Sequence, residues 1–97
     1  TGALLLGAAG VLQGLPATTH WYCHAELARH GAIPTDARVV AAGKVITAAG
    51  VSAGTDLAFY LVSRIAGRAV AENAALAAEY DWHRDPKAPI DYPWTDR

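Results

Sequence analysis

Methionine is missing from the 97 residues, and cysteine and phenylalanine each occur once. A lone cysteine, Cys23, excludes an internal disulfide framework and favours a reducing, cytoplasmic setting. Charge is sparse too: 18% of the residues are Asp, Glu, Lys or Arg, scattered singly around a net charge of −1. Without a basic face or a polybasic strip, nothing here is built to grip nucleic acid or an anionic membrane surface. The leading apolar run covers about a dozen residues and falls short of the ~20 needed to span a bilayer. It does not read as a secretory leader, because it has neither a basic region ahead nor an A-x-A-like site behind. What is abundant is apolar surface, 53% of residues, which places the chain among packed globular domains.

The run "TGALLLGAAGVLQG" leaves no wet face for a helix, so the spacing predicts a helix buried on all sides, ending near Gln13 with Gly14 as its cap and Pro16 beyond. A domain of this size buries only about two thirds of its unfolded surface, so such a helix needs more chain to cover it. Together with the start on Thr1, this leads us to expect a fragment of a larger domain. Next, "ATTH" (17–20) reads as a short buried strand, and "WYCHAELARHG" as a short helix that Tyr22, Ala25, Leu27, Ala28 and His30 fit and Gly31 ends. "ARVVAAGKVITAAG" predicts a hairpin of strands 38–41 and 44–48 about Ala42-Gly43. A helix capped by Ser52 or Thr55 follows, with Leu57, Tyr60, Leu61 and Ile65 at helical spacing, and Gly67 breaks it. A last alanine-rich helix turns Val70, Ala74, Leu76 or Ala77, and Tyr80 inward. Residues 81–97, with Pro86, Pro89 and Pro93, form a proline-rich tail whose Tyr92 and Trp94 could anchor it to a surface.

Three patterns suggest chemistry, and each has a plainer reading. Gly50-Val51-Ser52-Ala53-Gly54 matches the G-x-S-x-G nucleophile elbow between a strand and a helix. Only Asp81 and His83 could complete a triad, and two near neighbours of one tail do so poorly, so Ser52 is read as a helix cap. His20, Cys23 and His24, with Glu26 and His30 nearby, offer zinc-ligand types but no second pair at matching spacing, so no metal is expected. Thr1 could be an N-terminal nucleophile, yet it leads into a helix and not a strand.

Taken together, "TGALLLGAAGVLQGLPATTHW" and "VVAAGKVITAAGVSAGTDLAFYLV" resemble the C-terminal half of the ThiJ/PfpI superfamily, which is class I glutamine amidotransferase-like, and within it the isonitrile hydratase branch. The likeness runs from Thr1 to about Tyr80. It implies an α/β fold: the C-terminal half of a flavodoxin-like sandwich, a parallel sheet flanked by helices with a local hairpin. Residues 1–97 would then be the C-terminal part of one domain, its N-terminal half being the first partner. The resemblance further implies a nucleophilic cysteine immediately before Thr1, on a strand-to-helix elbow. The amides of Thr1 and Gly2 and the Thr1 hydroxyl would stabilise its thiolate, His20 would stand near it, and Trp21 would wall the pocket. The turn Gly50-Val51-Ser52 would close over the sulfur. The implied function is hydration of a small isonitrile to a formamide by a lyase without metal or organic cofactor, in a homodimer. Alone, the segment is expected to be inert, since both the cysteine and the acidic residue that would bond it lie outside it. Sensor domains of AraC-type transcription regulators share the same half-motifs and are the alternative, although no helix-turn-helix pattern follows the last helix here.

Overall fold

The computed structural model describes residues 1–86, so the expectations for Pro89, Tyr92, Pro93 and Trp94 lie outside the described residues. Helix α1 (Gly2–Ala8) leads to strand β1 (Pro16–Ala17), and a 3-10 turn (Trp21–Cys23) runs into α2 (His24–Arg29). Strands β2 (Ile33–Pro34), β3 (Val39–Ala42) and β4 (Val45–Ala48) follow, then α3 (Val51–Ala66) and α4 (Arg68–Ala77). β1 and β2 pair in parallel, with Pro16 opposite Ile33, while β3 and β4 form an antiparallel hairpin with Val39 opposite Ala48. The hairpin turns on Gly43-Lys44, one residue later than the sequence suggested, with Gly43 at φ +62°.

Helix α1 stops at Ala8 and not near Gln13. Gly10 takes φ +83°, a left-handed conformation that costs other residues free energy, and the chain then turns back to seat Leu12 in the core at 1% exposure. Nor is α1 enclosed among the described residues: Ala3 and Gly7 are buried, whereas Leu5 is 76% exposed. Gly7 is needed where α1 meets α2, because a Cβ there would stand 2.8 Å from the His30 Cβ.

The expected strand over 17–20 is paired only at Pro16–Ala17, yet Ala17, Thr18 and Thr19 are all buried. Side chains replace the missing ladder: the Thr18 N–H donates to Thr47 Oγ1 at 3.0 Å, and the Thr18 hydroxyl donates to the Ala37 carbonyl at 2.9 Å. These bonds tie the β1 segment to the hairpin and present His20 beyond it.

One apolar cluster joins Ala3, Leu12, Ala17, Leu27 and Ala32. A second joins Ala71, Ala75 and Trp82, with Phe59, Val62 and Tyr80 packed against it. The inward face of α4 differs from expectation because close packing selects its small residues. In α4 the alanines Ala71 and Ala75, four apart on one face, meet α3, which turns Val70, Ala74 and Leu76 outward. In α3 the buried residues are Ala53 and Asp56, and Ile65 points out. In α2 only Leu27 is fully enclosed, while Tyr22 just before it is 79% exposed and Ala25 and Ala28 face solvent. Among the described residues no helix is long and apolar enough to cross a membrane.

Candidate active site

Three segments far apart in sequence meet at one end of the structure. The start of α1 brings Thr1 and Gly2, the stretch after β1 brings His20, and the passage from β4 into α3 brings Gly50 and Val51. They line a cavity of about 660 Å³ whose remaining wall includes Leu6 and the β4 residues Ile46 to Ala48. A second groove, of about 680 Å³, shares His20, Gly50 and Val51 and adds Trp21, Ser52, Arg38 and Tyr80. Five of the seven residues singled out from sequence therefore share one cavity, and Trp21 and Ser52 stand in its neighbour.

The α1 end offers backbone donors, since the first N–H groups of a helix have no partner within it. Thr1 is its N-cap and makes no side-chain capping bond, so its hydroxyl is not committed to the helix. His20 Nδ1 accepts from the Tyr22 N–H at 3.2 Å, which puts the proton of the neutral ring on Nε2 and makes that nitrogen a donor. The Trp21 ring lies 5.4 Å from His20 and meets Tyr22 edge-on.

Ser52 does not cap α3. The N-cap is Gly50, without a side-chain bond, and the Thr55 hydroxyl turns back to the Val51 carbonyl at 3.5 Å. The Ser52 hydroxyl accepts instead from Arg38 Nη2 at 3.2 Å, and its carbonyl accepts from the Tyr80 hydroxyl at 3.0 Å. The triad weighed from sequence does not assemble either: His83 sits against Asp56, with Nδ1 3.2 Å from Oδ2. Among the described residues no three of His, Cys, Asp and Glu converge as metal ligands, and His24 Nε2 rests on the Thr19 carbonyl at 3.1 Å.

The sequence reading missed the polar knot behind this turn. Asp56, 1% exposed, takes Arg38 Nε and Nη2 on Oδ2, each at 2.7 Å, and the His83 N–H on Oδ1 at 3.0 Å. A buried carboxylate is stable only when paired and hydrogen-bonded, and Asp56 is both. Burial pushes the Tyr80 hydroxyl above its ordinary pKa, and the negative charge of Asp56 adds to the rise, so Tyr80 remains a donor at neutral pH. The signal available in the sequence was Asp56, the one charged residue of α3 before Arg64.

The DJ-1/PfpI family profile matches residues 1–64. The isonitrile hydratase of Pseudomonas putida is 48% identical over 80 residues, which are 82% of this chain and 35% of that protein. The crystal structure of a ThiJ/PfpI family protein from Pseudomonas syringae superposes with a TM-score of 0.79 at 46% identity, over 96% of this chain and 35% of that one. The chain thus spans about a third of the length of the relatives it matches. The superposition identifies the mixed helix and strand architecture, with its parallel pair and local hairpin, as part of the flavodoxin-like α/β fold of such proteins. On the match over residues 1–64 and the 48% identity, the chain belongs to the DJ-1/PfpI family.

Proposed function

We propose that this chain is the C-terminal part of a cysteine-dependent isonitrile hydratase, with the nucleophile on the residue immediately before Thr1. The observation that carries the reading is the convergence of Thr1, Gly2, His20, Gly50 and Val51 on one cavity. A residue preceding Thr1 would stand at the mouth of that cavity, against the free amides at the start of α1. Those amides and the positive end of the helix favour a thiolate over a thiol. The 48% identity to an isonitrile hydratase favours an enzyme over the sensor domain of a transcription regulator.

In the proposed reaction the thiolate sulfur bonds to the terminal carbon of the isonitrile, and that carbon takes a proton, giving a thioimidate. Water adds across the carbon–nitrogen double bond, its hydroxyl to carbon and its proton to nitrogen. The carbon–sulfur bond then breaks to return the thiolate as the hydroxyl loses its proton, which replaces the one taken up in the first step. The product is the N-substituted formamide, so one water is consumed and nothing is oxidised. In this reading the Nε2–H of His20, a residue of the cavity wall, would donate to the reacting atoms, and the Thr1 hydroxyl would donate to the sulfur. Leu6, Ile46 and Val51 give the cavity an apolar wall suited to the hydrocarbon substituent of the substrate. The proposal includes a protomer completed by an N-terminal half, a homodimer of such protomers and, on the lone Cys23, a cytoplasmic setting.

The Thr1→Val variant of the protein that includes the segment before Thr1 tests this reading, since valine keeps the shape and removes the hydroxyl. Formamide production from cyclohexyl isonitrile, followed by chromatography, should fall about tenfold with little change in thermal unfolding. An unchanged rate would remove Thr1 from the chemistry.

A further inference from the structure

Ser52 lies in the first turn of α3, directly after Gly50 and Val51, the two residues of this turn that line both the cavity and the groove beside it. Nothing covers the turn from the cavity side among the described residues, where Val51 is 95% exposed. What holds it comes from behind. We infer that Arg38 and Tyr80 are positioning residues for the proposed reaction: they fix the Gly50–Ser52 wall of the cavity by holding the two polar ends of Ser52.

Arg38 enters from the residue just before β3, and Tyr80 from the segment after α4. Each is itself fixed. The Arg38 guanidinium is aimed by Asp56, four residues beyond Ser52 on the same helix, through Nε and Nη2. Nη2 is thereby left 3.2 Å from the Ser52 hydroxyl. A planar guanidinium can serve both acceptors at once, whereas a lysine ammonium on its flexible stem would not keep both geometries. The Tyr80 ring stacks on Phe59 at 5.6 Å between centroids, and its hydroxyl donates to the Ser52 carbonyl at 3.0 Å. That carbonyl has a second lone pair for its place in the helix ladder.

The arrangement also says what Arg38 is not. Its charge is matched by buried Asp56, so it brings no free positive charge to the groove and is unsuited to gripping an anionic substrate. The two tethers act on different atoms of one residue. Arg38 acts through a side chain that mutation can delete, and Tyr80 acts through the backbone.

That difference makes the inference testable by a double-mutant cycle in the protein that includes the segment before Thr1. The inference rests on the hydratase reading for its kinetic arm only. Tyr80→Phe keeps the ring and its stack, and Arg38→Lys keeps the charge opposite Asp56. Each should retain cooperative unfolding, raise amide exchange in the peptide covering residues 50–54 about fivefold, and raise KM for cyclohexyl isonitrile more than it lowers kcat. In a Ser52→Ala background, Arg38→Lys should add almost nothing while Tyr80→Phe keeps its full effect. The inference is overturned if exchange over residues 50–54 is unchanged in both folded variants. It is equally overturned if Arg38→Lys acts as strongly without the Ser52 hydroxyl as with it. Should the parent protein make no formamide, the hydratase reading fails, and the exchange cycle alone decides the tether.

Discussion

Replacing Asp56 by asparagine keeps the shape of the side chain and removes its charge, which makes it the sharpest perturbation of the interior. The carboxylate is 1% exposed, and its Oδ2 takes two donors from Arg38, whose own side chain is 12% exposed. Asparagine must offer one N–H₂ group to partners that were themselves donating, Arg38 on one oxygen or the His83 N–H on the other. The guanidinium is left nearly buried without a counter-charge. Breaking a buried ion pair from one side costs about 3–5 kcal/mol, and the residual exposure of Arg38 puts this case near ~3 kcal/mol. That is a large share of the ~5–15 kcal/mol that holds a typical domain together. At ~2–4 °C per kcal/mol for a protein of 150–250 residues, the midpoint of thermal unfolding should fall by about 6–12 °C. Denaturant unfolding of parent and variant at neutral pH gives the free-energy difference directly. The paired replacement Asp56→Leu with Arg38→Met should recover much of the loss, because it removes both charges together. A loss under ~1 kcal/mol for Asp56→Asn would refute the reasoning, since it would mean that water reaches the pair.

Gly7→Ala should destabilise by about 1 kcal/mol net: the helix gains ~1 kcal/mol in propensity, but a Cβ placed 2.8 Å from the His30 Cβ forces α1 and α2 apart at a typical cost of ~1–3 kcal/mol. Urea unfolding decides the sign. Thr19→Val should stabilise by about 1 kcal/mol, because the Thr19 hydroxyl is buried without a partner among the described residues. A loss on that substitution would show the hydroxyl to be bonded by chain outside them. The Glu72 carboxyl, bonded by Arg68 and Arg84, should titrate below the ordinary 4.5, as read by carbon NMR. Because its folded pKa is depressed, its contribution to stability is present above the ordinary glutamate range and lost as pH falls through the lowered value. A midpoint at or above 4.5 would contradict the two arginine contacts.

The hairpin and the place of Gly67 were legible because glycine spacing and strand pattern are local signals, and Gly43 and Gly67 do take positive φ. The convergence of Thr1, His20 and the Gly50 turn was legible only through resemblance, since no local pattern says that three distant segments meet. Local reasoning failed where a distant segment competes for a local group. Ser52 has the identity of a helix cap, but Arg38 and Tyr80 claim its hydroxyl and carbonyl from 14 and 28 residues away. In α4 the largest apolar residues were expected inward, but contact with α3 selected the smaller Ala71 and Ala75 and left Val70 and Leu76 outside. Trp82, in a stretch read as tail, is 5% exposed and closes the second cluster beside Phe59. The apolar run of α1 led to an expectation of burial on all sides, and among the described residues only Ala3 and Gly7 of that helix are buried while Leu5 is exposed.

The most direct test of the central claim is turnover by the protein that includes the residue before Thr1. It should be incubated under reducing conditions with cyclohexyl and para-nitrophenyl isonitriles and compared with a variant in which that residue is replaced by alanine. The account predicts the corresponding formamides from the parent protein and none above background from the variant. Formamide at an undiminished rate from the folded variant, or none from the folded parent, would contradict it.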